Sequence, residues 1–476
     1  MLIRFNVKNF LSFNKTEEGK SIEFSMIAGK TTKKREHLYD DGNIKLLKLA
    51  TIYGANASGK SNLIKALDFT KKVIVNGISE AEGHIDKYCK LLEDNKNLPS
   101  YFELEIEIEK RYFAYGFEII LSQSKFVSEW LVELTPTGSE KLIFERDILN
   151  GRFEFGEKIK KNINNNILEK LAVYSDDIRE DDSTLFLNIM NKNKDKFYEN
   201  QRNIDVIILK KLYQWIEENF DIYFPNRSIT NYSYLSNNSN IEKILKIISC
   251  FGTGITDCHL VSIQPEKFEE SIPYVIQRRV FKDIEKKLSD FNRKLKLNRY
   301  EKERTPKLKF GISLRKNNEI FIITIEDGEI VYKTIKFEHE NRGVLFNFSE
   351  ESDGTRRILD LIEVLISDGK TYVIDELDRC LHPILTYKFV ESFLEQAKKR
   401  DIQLIVTTHE SRLLDFDLLR RDEVWFINKN INGESEVYSL EEYNERFDKK
   451  IDKAYLEGRY GGIPIFNKLF PMDYKE

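Results

Sequence analysis

The 476-residue chain carries 75 Lys and Arg against 79 Asp and Glu, for a formal net charge of −4, and 41% of its residues are hydrophobic. This balance excludes a disordered chain and a broadly basic nucleic-acid-binding protein, so contact with nucleic acid would need a local patch. The length predicts two or three domains, because a single hydrophobic core stops growing well below it.

Targeting and redox signals point to a cytoplasmic protein. Cys89, Cys250, Cys258 and Cys380 are scattered without a CxxC pair, which indicates reduced thiols. The N-terminal MLIRFNVKNF carries charge within its first ten residues, and the sequence has no apolar stretch of about 18 residues. We therefore expect neither a signal peptide nor a membrane-spanning helix.

Residues 1–150 predict mainly strands. LIRFNVKNFLSF alternates between apolar and polar residues, and SYFELEIEIEKRYFAYGFEII contains two alternating runs around a Glu-Lys-Arg turn. A third strand is expected near KFVSEWLVEL. Between these runs, the apolar strand KLLKLATIY precedes a loop and a helical pattern that places Leu63, Ile64 and Leu67 on one face.

The loop between that strand and that helix is YGANASGKSN, which matches the phosphate-binding loop pattern in full. Small residues let successive backbone N–H groups surround an anion, and the N-terminus of the following helix adds partial positive charge. The alternative is a Gly/Ser-rich turn, but a strand before the loop and a helix after it favour nucleotide binding. The expected nucleotide contacts are Gly54, Asn56, Ser58, Gly59, Lys60, Ser61 and Asn62.

The composition changes after Phe155, where the chain becomes rich in Lys, Asn, Ile and Glu at helical spacing. The clearest predicted helices are KKLYQWIEENF, NIEKILKIIS and PYVIQRRVFKDIEKKLSDFNRKLKL. Strands resume with KLKFGISL, NEIFIITIEDG and EIVYKTIKFE, the last two joined at Asp327-Gly328, a strong hairpin signal. We interpret residues 156–305 as an inserted, mainly helical domain between the segments 1–155 and 306–476.

The C-terminal segment alternates helix, strand, helix and strand, which predicts an α/β parallel sheet. EESDGTRRIL opens it with Ser352, Asp353, Gly354 and Thr355 directly before a helix. A hydroxyl, a flexible backbone and a helix N-terminus together suit a second anion-binding site. The alternative is a plain helix cap.

Two strand ends in this segment carry candidate catalytic groups. TYVIDELD ends an apolar strand in Asp375 and Glu376. With a phosphate-binding loop, one carboxylate at this position can hold Mg²⁺ and its neighbour can deprotonate an attacking water. IVTTHE ends the next strand with His409, at the sheet edge where ligands collect in such folds. The alternatives are a solvated acidic turn and a surface histidine.

The ordered set GANASGKSN, SDGT before a helix, VIDELD and TTH resembles the ABC-type ATPase heads of the SMC and RecF class. Within that class, NFLSF, FAYGFEI, VSEWL, ESDGTRR and KAYLEGRYGGIP resemble the bacterial AAA-type ATPases of anti-phage defence operons. The resemblance covers residues 1–150 and 335–476. It implies an α/β ABC-type P-loop ATPase head, with an N-terminal β-rich lobe and a parallel sheet with flanking helices, that carries the inserted domain.

The resemblance also implies ATP and Mg²⁺ as cofactors and a role for each matching residue. Lys60 would contact the β- and γ-phosphates, while Ser61 and Asp375 would serve Mg²⁺. Glu376 would be the catalytic base, and His409 would sense the γ-phosphate.

Three further residues would act when two heads pair. Asp378 falls where the family places the acid that communicates between paired heads, and Ser352 and Gly354 would reach the nucleotide of a partner subunit. The glutamine that commonly joins the Mg²⁺ shell has no clear counterpart, since Gln123 in LSQSKFV is a weak match. The aromatic stretch around Phe10 and Phe13 is a candidate for stacking on adenine.

A segment with cationic excess, 278–309, could bind nucleic acid or an acidic partner, although a solvated helix face with i,i+4 ion pairs explains it as well. The resemblance favours an ATPase that forms a homo-oligomer of head-to-tail dimers and regulates an effector nuclease from the same operon. The alternatives are a RecF-like, DNA-binding repair ATPase and a scaffold that ATP clamps together with little hydrolysis.

Overall fold

The computed structural model describes most of the chain. The described ranges are 1–16, 18–81, 83–135, 138–162, 165–199, 203–225, 238–274, 276–278, 280–281, 284–285, 311–316, 319–326, 329–340, 343–443 and 451–460. Within them, no helix combines the length and the apolar character needed to cross a lipid bilayer.

The strands are numbered in chain order. They are β1 (Leu2–Lys8), β2 (Ile22–Ser25), β3 (Leu38–Asp40), β4 (Lys45–Leu47), β5 (Leu49–Tyr53), β6 (Ser100–Ile108), β7 (Arg111–Ile120), β8 (Lys125–Leu134), β9 (Glu140–Asp147), β10 (Arg152–Phe155), β11 (Phe220–Tyr223), β12 (Ile255–Ser262), β13 (Gly311–Lys316), β14 (Glu319–Glu326), β15 (Glu329–His339), β16 (Leu345–Asn347), β17 (Thr371–Ile374), β18 (Gln403–Thr407), β19 (Val424–Lys429) and β20 (Ser435–Ser439).

The α-helices are numbered in the same way. They are α1 (Lys60–Asn76), α2 (Glu157–Asn162), α3 (Asn165–Ile178), α4 (Phe186–Asn191), α5 (Asp195–Tyr198), α6 (Ile204–Gln214), α7 (Asn238–Cys250), α8 (Pro265–Ser271), α9 (Asp353–Ile366), α10 (Pro383–Ala397) and α11 (Ile451–Leu456).

The chain divides into two compact units. The first comprises Met1–Phe224, Ser367–Asp378 and Phe389–Glu476, and the second comprises Pro225–Ile366 and Arg379–Lys388. Each unit has its own sheets and its own buried apolar residues.

The first unit contains a six-stranded sheet in the order β11-β17-β18-β5-β19-β20. Neighbouring strands are parallel from β11 to β19, and only the pair β19–β20 is antiparallel. Three strands of this sheet, β5, β17 and β18, are mainly apolar and wholly buried, as is typical of a parallel sheet covered on both faces. The predicted α/β parallel sheet is confirmed.

A seven-stranded antiparallel sheet forms the β-rich part of the same unit, in the order β10-β9-β8-β7-β6-β1-β2. The hairpin predicted at the Glu-Lys-Arg turn is confirmed between β6 and β7. Glu109 and Lys110 both have positive φ, as a two-residue type I′ turn requires. Phe10, Phe69 and Phe102 pack against one another in the core between this sheet and α1.

The second unit contains an antiparallel sheet in the order β12-β15-β14-β13, with β16 paired to β15. Apolar residues of α7 and α9, among them Ile248 and Leu359, share a buried cluster with Ile322 of β14. The unit is therefore a sheet covered by helices, where the sequence predicted a mainly helical domain. The predicted hairpin turn at Asp327-Gly328 lies outside the described residues.

The boundaries of the units differ from the segments 1–155, 156–305 and 306–476 inferred from composition. Helices α3, α4 and α6 and strand β11 belong to the first unit, although the sequence analysis placed them in the insert. The cause is non-local pairing: β11 pairs in parallel with β17, about 150 residues later in the chain. Strands β13 to β16, which the sequence analysis assigned to the head, belong to the second unit.

Candidate nucleotide-binding site

Three neighbouring parallel strands of the six-stranded sheet end at the same edge. β5 leads into the loop before α1, β17 into Asp375 and Glu376, and β18 into Thr408 and His409. The sheet order β17-β18-β5 thus brings together three motifs that are far apart in sequence. Ligands collect at such an edge in open α/β sheets.

The loop from Gly54 to Gly59 has no room for a side chain at either of these two glycines. Gly59 has a φ of 117°, and a Cβ there would lie 2.2 Å from Ser435 Oγ. A Cβ on Gly54 would lie 2.4 Å from the carbonyl oxygen of Ile427. Both positions therefore need glycine, as a loop that wraps closely around an anion does.

A chain of hydrogen bonds connects this loop to residues outside it and stabilises its conformation. Asn62 Nδ2 donates to Ser12 Oγ at 2.8 Å, Ser12 Oγ and Ser435 Oγ lie 2.7 Å apart, and Ser435 Oγ bonds to the carbonyl oxygen of Ser58 at 2.6 Å. The Ser58 hydroxyl is itself buried and has no hydrogen-bond partner among the described residues. A buried donor of this kind is free to bond to a phosphate oxygen.

Lys60 is buried at the start of α1. Its Nζ donates to the carbonyl oxygens of Gly54 at 2.6 Å and Ala55 at 3.0 Å, inside the curve of the loop. Burial lowers the pKa of the Lys60 amine to about 8. The charges of Asp375 and other nearby carboxylates raise this pKa, but their effect is smaller than that of burial. An anionic ligand in the loop would raise this pKa again, because it favours the protonated amine.

Thr407 positions the two candidate catalytic acids. Its Oγ1 donates to Asp375 Oδ1 at 2.6 Å and accepts from the backbone N–H of Glu376 at 2.8 Å. Asp375 and Thr407 are both buried. Glu376 has a φ of 50°, which is uncommon for a residue with a side chain and marks a sharp turn at the strand end.

Asp378 and His409 are linked in the same region. Asp378 Oδ1 accepts from Thr408 Oγ1 at 2.7 Å and from the backbone N–H of His409 at 3.2 Å. Partial desolvation, followed by the charge of Lys60, lowers the pKa of His409. The imidazole is therefore neutral at neutral pH and able to donate or accept one hydrogen bond.

Ser352 and Gly354 belong to the second unit, at the start of α9. Ser352 Oγ accepts from the backbone N–H of Thr355 at 3.1 Å and shares a hydrogen bond with Thr355 Oγ1 at 2.8 Å. A Cβ on Gly354 would lie 3.1 Å from the carbonyl oxygen of Cys380, so the backbone is closely packed there. Ser352 thus caps the helix, and its exposed position leaves the N-terminus of α9 accessible.

The loop and its neighbours fit a nucleotide and its metal ion. Two glycines leave room for phosphate, and the buried Ser58 hydroxyl and the Lys60 ammonium supply donors. Ser61, half-buried in the first turn of α1, and Asp375 offer the oxygen ligands that Mg²⁺ prefers.

Other sequence-based candidates lie elsewhere. Phe10 and Phe13 are completely buried, and Phe10 packs against Phe69 and Phe102, so neither is placed to stack on adenine. Gln123 is exposed on a turn. Asn56 is exposed on the loop, and most of the segment 278–309 lies outside the described residues.

The sequence analysis missed the residues that hold the site in shape. Thr407 and Thr408 stand inside the quoted TTH motif, so a signal for them existed. Ser12 stands inside the quoted NFLSF, but Ser435, 423 positions later, matches no motif, so only the fold brings the two together.

The family model described as "AAA domain, putative AbiEii toxin, Type IV TA system" matches residues 49–240 and 264–415. These ranges cover more than half of the chain and include every strand end described above. The chain belongs to this AAA-domain family. No curated protein matches the sequence of this AAA-domain protein.

Solved structures similar to the AAA-domain protein include three SMC heads. One is the SmcHead bound to the C-winged helix domain of ScpA, with 13% identity, a TM-score of 0.37, and coverage of 96% of this chain and 99% of that one. Another is the SMC head domain from Thermotoga maritima, with 15% identity, a TM-score of 0.31, and coverage of 92% and 98%.

The third is the Smc head domain with an extended coiled coil, bound to the C-terminal domain of ScpA derived from Pyrococcus furiosus. It has 15% identity and a TM-score of 0.31, with coverage of 96% of this chain and 98% of that one. These TM-scores are too low to support an argument about the fold. The evidence for the α/β P-loop fold of the AAA-domain protein is its own sheet order and its phosphate-binding loop.

Proposed function

We propose that the chain binds and hydrolyses ATP with Mg²⁺. The observation that carries this proposal is the convergence of Lys60, the Asp375-Glu376 pair and His409 at the ends of three adjacent parallel strands. The AAA-domain family and the complete P-loop agree with it.

Each residue has one task in the proposed reaction. The loop N–H groups and the Lys60 ammonium bind and orient the phosphates. Glu376, two residues after the end of β17, accepts a proton from the attacking water, and Thr407 fixes the backbone from which it projects. His409 donates a hydrogen bond toward the γ-phosphate. Bound Mg²⁺, held by Ser61 and Asp375, would neutralise phosphate charge.

Two substitutions test this assignment. Lys60→Ala removes the ammonium that offsets the phosphate charge, so labelled ATP should no longer bind at equilibrium. The exposed Lys65, one turn later on α1, provides the matched control, and Lys65→Ala should bind ATP normally. Undiminished affinity in folded Lys60→Ala would overturn the phosphate-loop assignment.

Glu376→Gln separates binding from hydrolysis. The amide keeps the shape of the side chain but cannot accept the proton, so ATP should bind and phosphate release should fall by about 10²–10⁴-fold. Turnover at the native rate would assign the base to another residue. If the native protein assembles with ATP but releases no phosphate, the clamped-scaffold function is favoured instead.

We further propose that two subunits pair head to tail, with Ser352 and Gly354 of each completing the nucleotide site of the other. Asp378 would communicate between the paired sites. We also propose that the protein is a cytoplasmic sensor that regulates an effector in anti-phage defence; the family description names a toxin–antitoxin system, which agrees with a partner protein. Salt-sensitive binding of DNA by the purified protein would favour the RecF-like repair function instead.

A further inference from the structure

A second group of chemistry-bearing side chains lies in the antiparallel sheet of the second unit, in the described part of the chain. Asp257 and His259 are two residues apart on β12, so both project from the same face. Asp257 pairs directly with Glu338 on β15. Directly paired residues of antiparallel strands have side chains on one face, so the pairing brings all three together.

The three side chains converge on one point. His259 Nε2 lies 3.3 Å from Glu338 Oε2 and 3.6 Å from Asp257 Oδ2, and all three ligand atoms lie within 4.8 Å of one another. Two ligand atoms bound to the same tetrahedral zinc ion are about 3.3 Å apart, given metal–ligand bonds of about 2.0–2.1 Å. The two distances from His259 Nε2 are close to that spacing.

Both carboxylates are oriented by backbone N–H groups. Asp257 Oδ1 accepts from the N–H of Cys258 at 2.7 Å, and Glu338 Oε1 accepts from the N–H of Gly343 at 2.7 Å. In each case the other oxygen faces His259. Hydrogen bonds that fix the unused oxygen of a carboxylate are a common feature around metal ligands.

We propose that Asp257, His259 and Glu338 bind a divalent transition-metal ion, with Zn²⁺ as the best match. An imidazole with two carboxylates suits Zn²⁺ better than Mg²⁺ or Ca²⁺, which take oxygen ligands. The side chains of His259 and Asp257 are 39% and 45% exposed, so the ion can enter from solvent and a water can complete its coordination. The site is independent of the proposed ATPase function.

The test is metal binding by the full chain in nucleotide-free buffer. Zn²⁺ titration followed by calorimetry should show one site that His259→Ala removes, with affinity falling at least about 100-fold, since even orienting partners contribute about 10–100-fold. Co²⁺ bound there should give visible d–d absorption without the thiolate charge-transfer band of a cysteine site. Circular dichroism before titration confirms that each variant is folded.

Glu338→Gln is the sharper variant, because its amide oxygen can still accept from Gly343 while the charged ligand is lost. Its matched control is Glu266→Gln, an exposed acid of α8 in the same unit, and His84→Ala controls for histidine loss. Both controls should bind Zn²⁺ normally. Absence of Zn²⁺ uptake by the native chain, or uptake unchanged in His259→Ala and Glu338→Gln, would overturn the site and leave the three side chains as a polar cluster without a metal ion.

Discussion

At the scale of single residues, Thr407 illustrates how one hydroxyl organises the candidate site. It is fully buried, and its Oγ1 serves both Asp375 Oδ1 and the backbone N–H of Glu376. The threonine therefore fixes the direction of the carboxylate assigned to the metal and the backbone that carries the assigned base. Thr407 is the last residue of β18, and the parallel pairing of β18 with β17 places it beside Asp375 and Glu376.

We predict that Thr407→Val lowers both stability and ATP turnover. Valine has nearly the same shape, so packing is kept, but a buried carboxylate and a backbone N–H lose their partner. The free energy of unfolding, measured by urea denaturation, should fall by about 1–3 kcal/mol. Thr407→Ser retains the hydroxyl and should stay within about 1 kcal/mol of the native protein. Equal effects of valine and serine would mean that packing of the methyl group, and not the hydrogen bonds, is what matters.

A second prediction at this scale concerns Lys60 and pH. Burial lowers its pKa to about 8 in the nucleotide-free protein. Only the protonated amine offsets phosphate charge, and bound phosphate raises the pKa again, so binding above pH 8 requires proton uptake. ATP affinity should therefore change little near pH 7 and decrease above pH 8. The decrease should approach about tenfold for each further pH unit.

The control for this titration is Lys60→Arg. A guanidinium stays protonated throughout this range, so any affinity that the variant retains should not show the decline. Equilibrium binding of labelled ATP between pH 7 and pH 10 measures both profiles. The same decline in both proteins would assign the titration to another group.

At the scale of elements, a buried carboxylate joins a strand to a helix. Glu129 on β8 accepts from the backbone N–H groups of Phe186 at 2.7 Å and Leu187 at 3.0 Å, which open α4. It also accepts from Tyr115 Oη at 2.9 Å and lies 3.7 Å from the guanidinium of Arg146. Both charged side chains are completely buried. The strand thus supplies the cap that the sequence before α4 lacks.

We predict that Glu129→Gln destabilises the first unit strongly. The amide keeps the shape, but Arg146 is left as a buried charge without its counter-ion, which typically costs about 3–5 kcal/mol. Urea denaturation followed by circular dichroism measures the loss. The double variant Glu129→Gln, Arg146→Met should recover part of it, because no unpaired charge remains. No recovery would show that the bonds to α4 outweigh the charge pair.

The same scale explains which elements the sequence could predict. The loop, α1 and the strand ends at Asp375 and His409 follow from contiguous motifs, and the structure places them at one sheet edge. β11 could not be predicted, because its four residues become a strand only by pairing with β17. The Ser12–Ser435 contact behind the loop also depends on tertiary packing alone. Local patterns thus predicted the chemical groups, while their supports required the fold.

At the scale of the whole molecule, the two anion-binding candidates lie in different units of the chain. Lys60 and its carboxylate neighbours belong to the first unit, and Ser352 and Gly354 belong to the second. In the proposed head-to-tail pair, each ATP contacts the loop of one subunit and the Ser352–Gly354 turn of the other. A two-fold axis then creates two identical sites.

We predict that Ser352→Arg leaves ATP binding by a single chain nearly intact but stops turnover, because the bulky cation fills the space for the partner's γ-phosphate. Serine is exposed here, so arginine meets no steric obstacle, and loss of the cap on α9 should lower stability by only about 1 kcal/mol. The decisive measurement mixes this variant with Lys60→Ala. A heterodimer then has one site with both defects and one site with neither, so phosphate release should return although each variant alone is inactive.

The composite sites would be refuted if phosphate release did not recover in a mixture in which mass spectrometry shows mixed dimers and a vanadate analogue traps neither site. Vanadate trapping of a single site without turnover would instead mean that both sites must fire together.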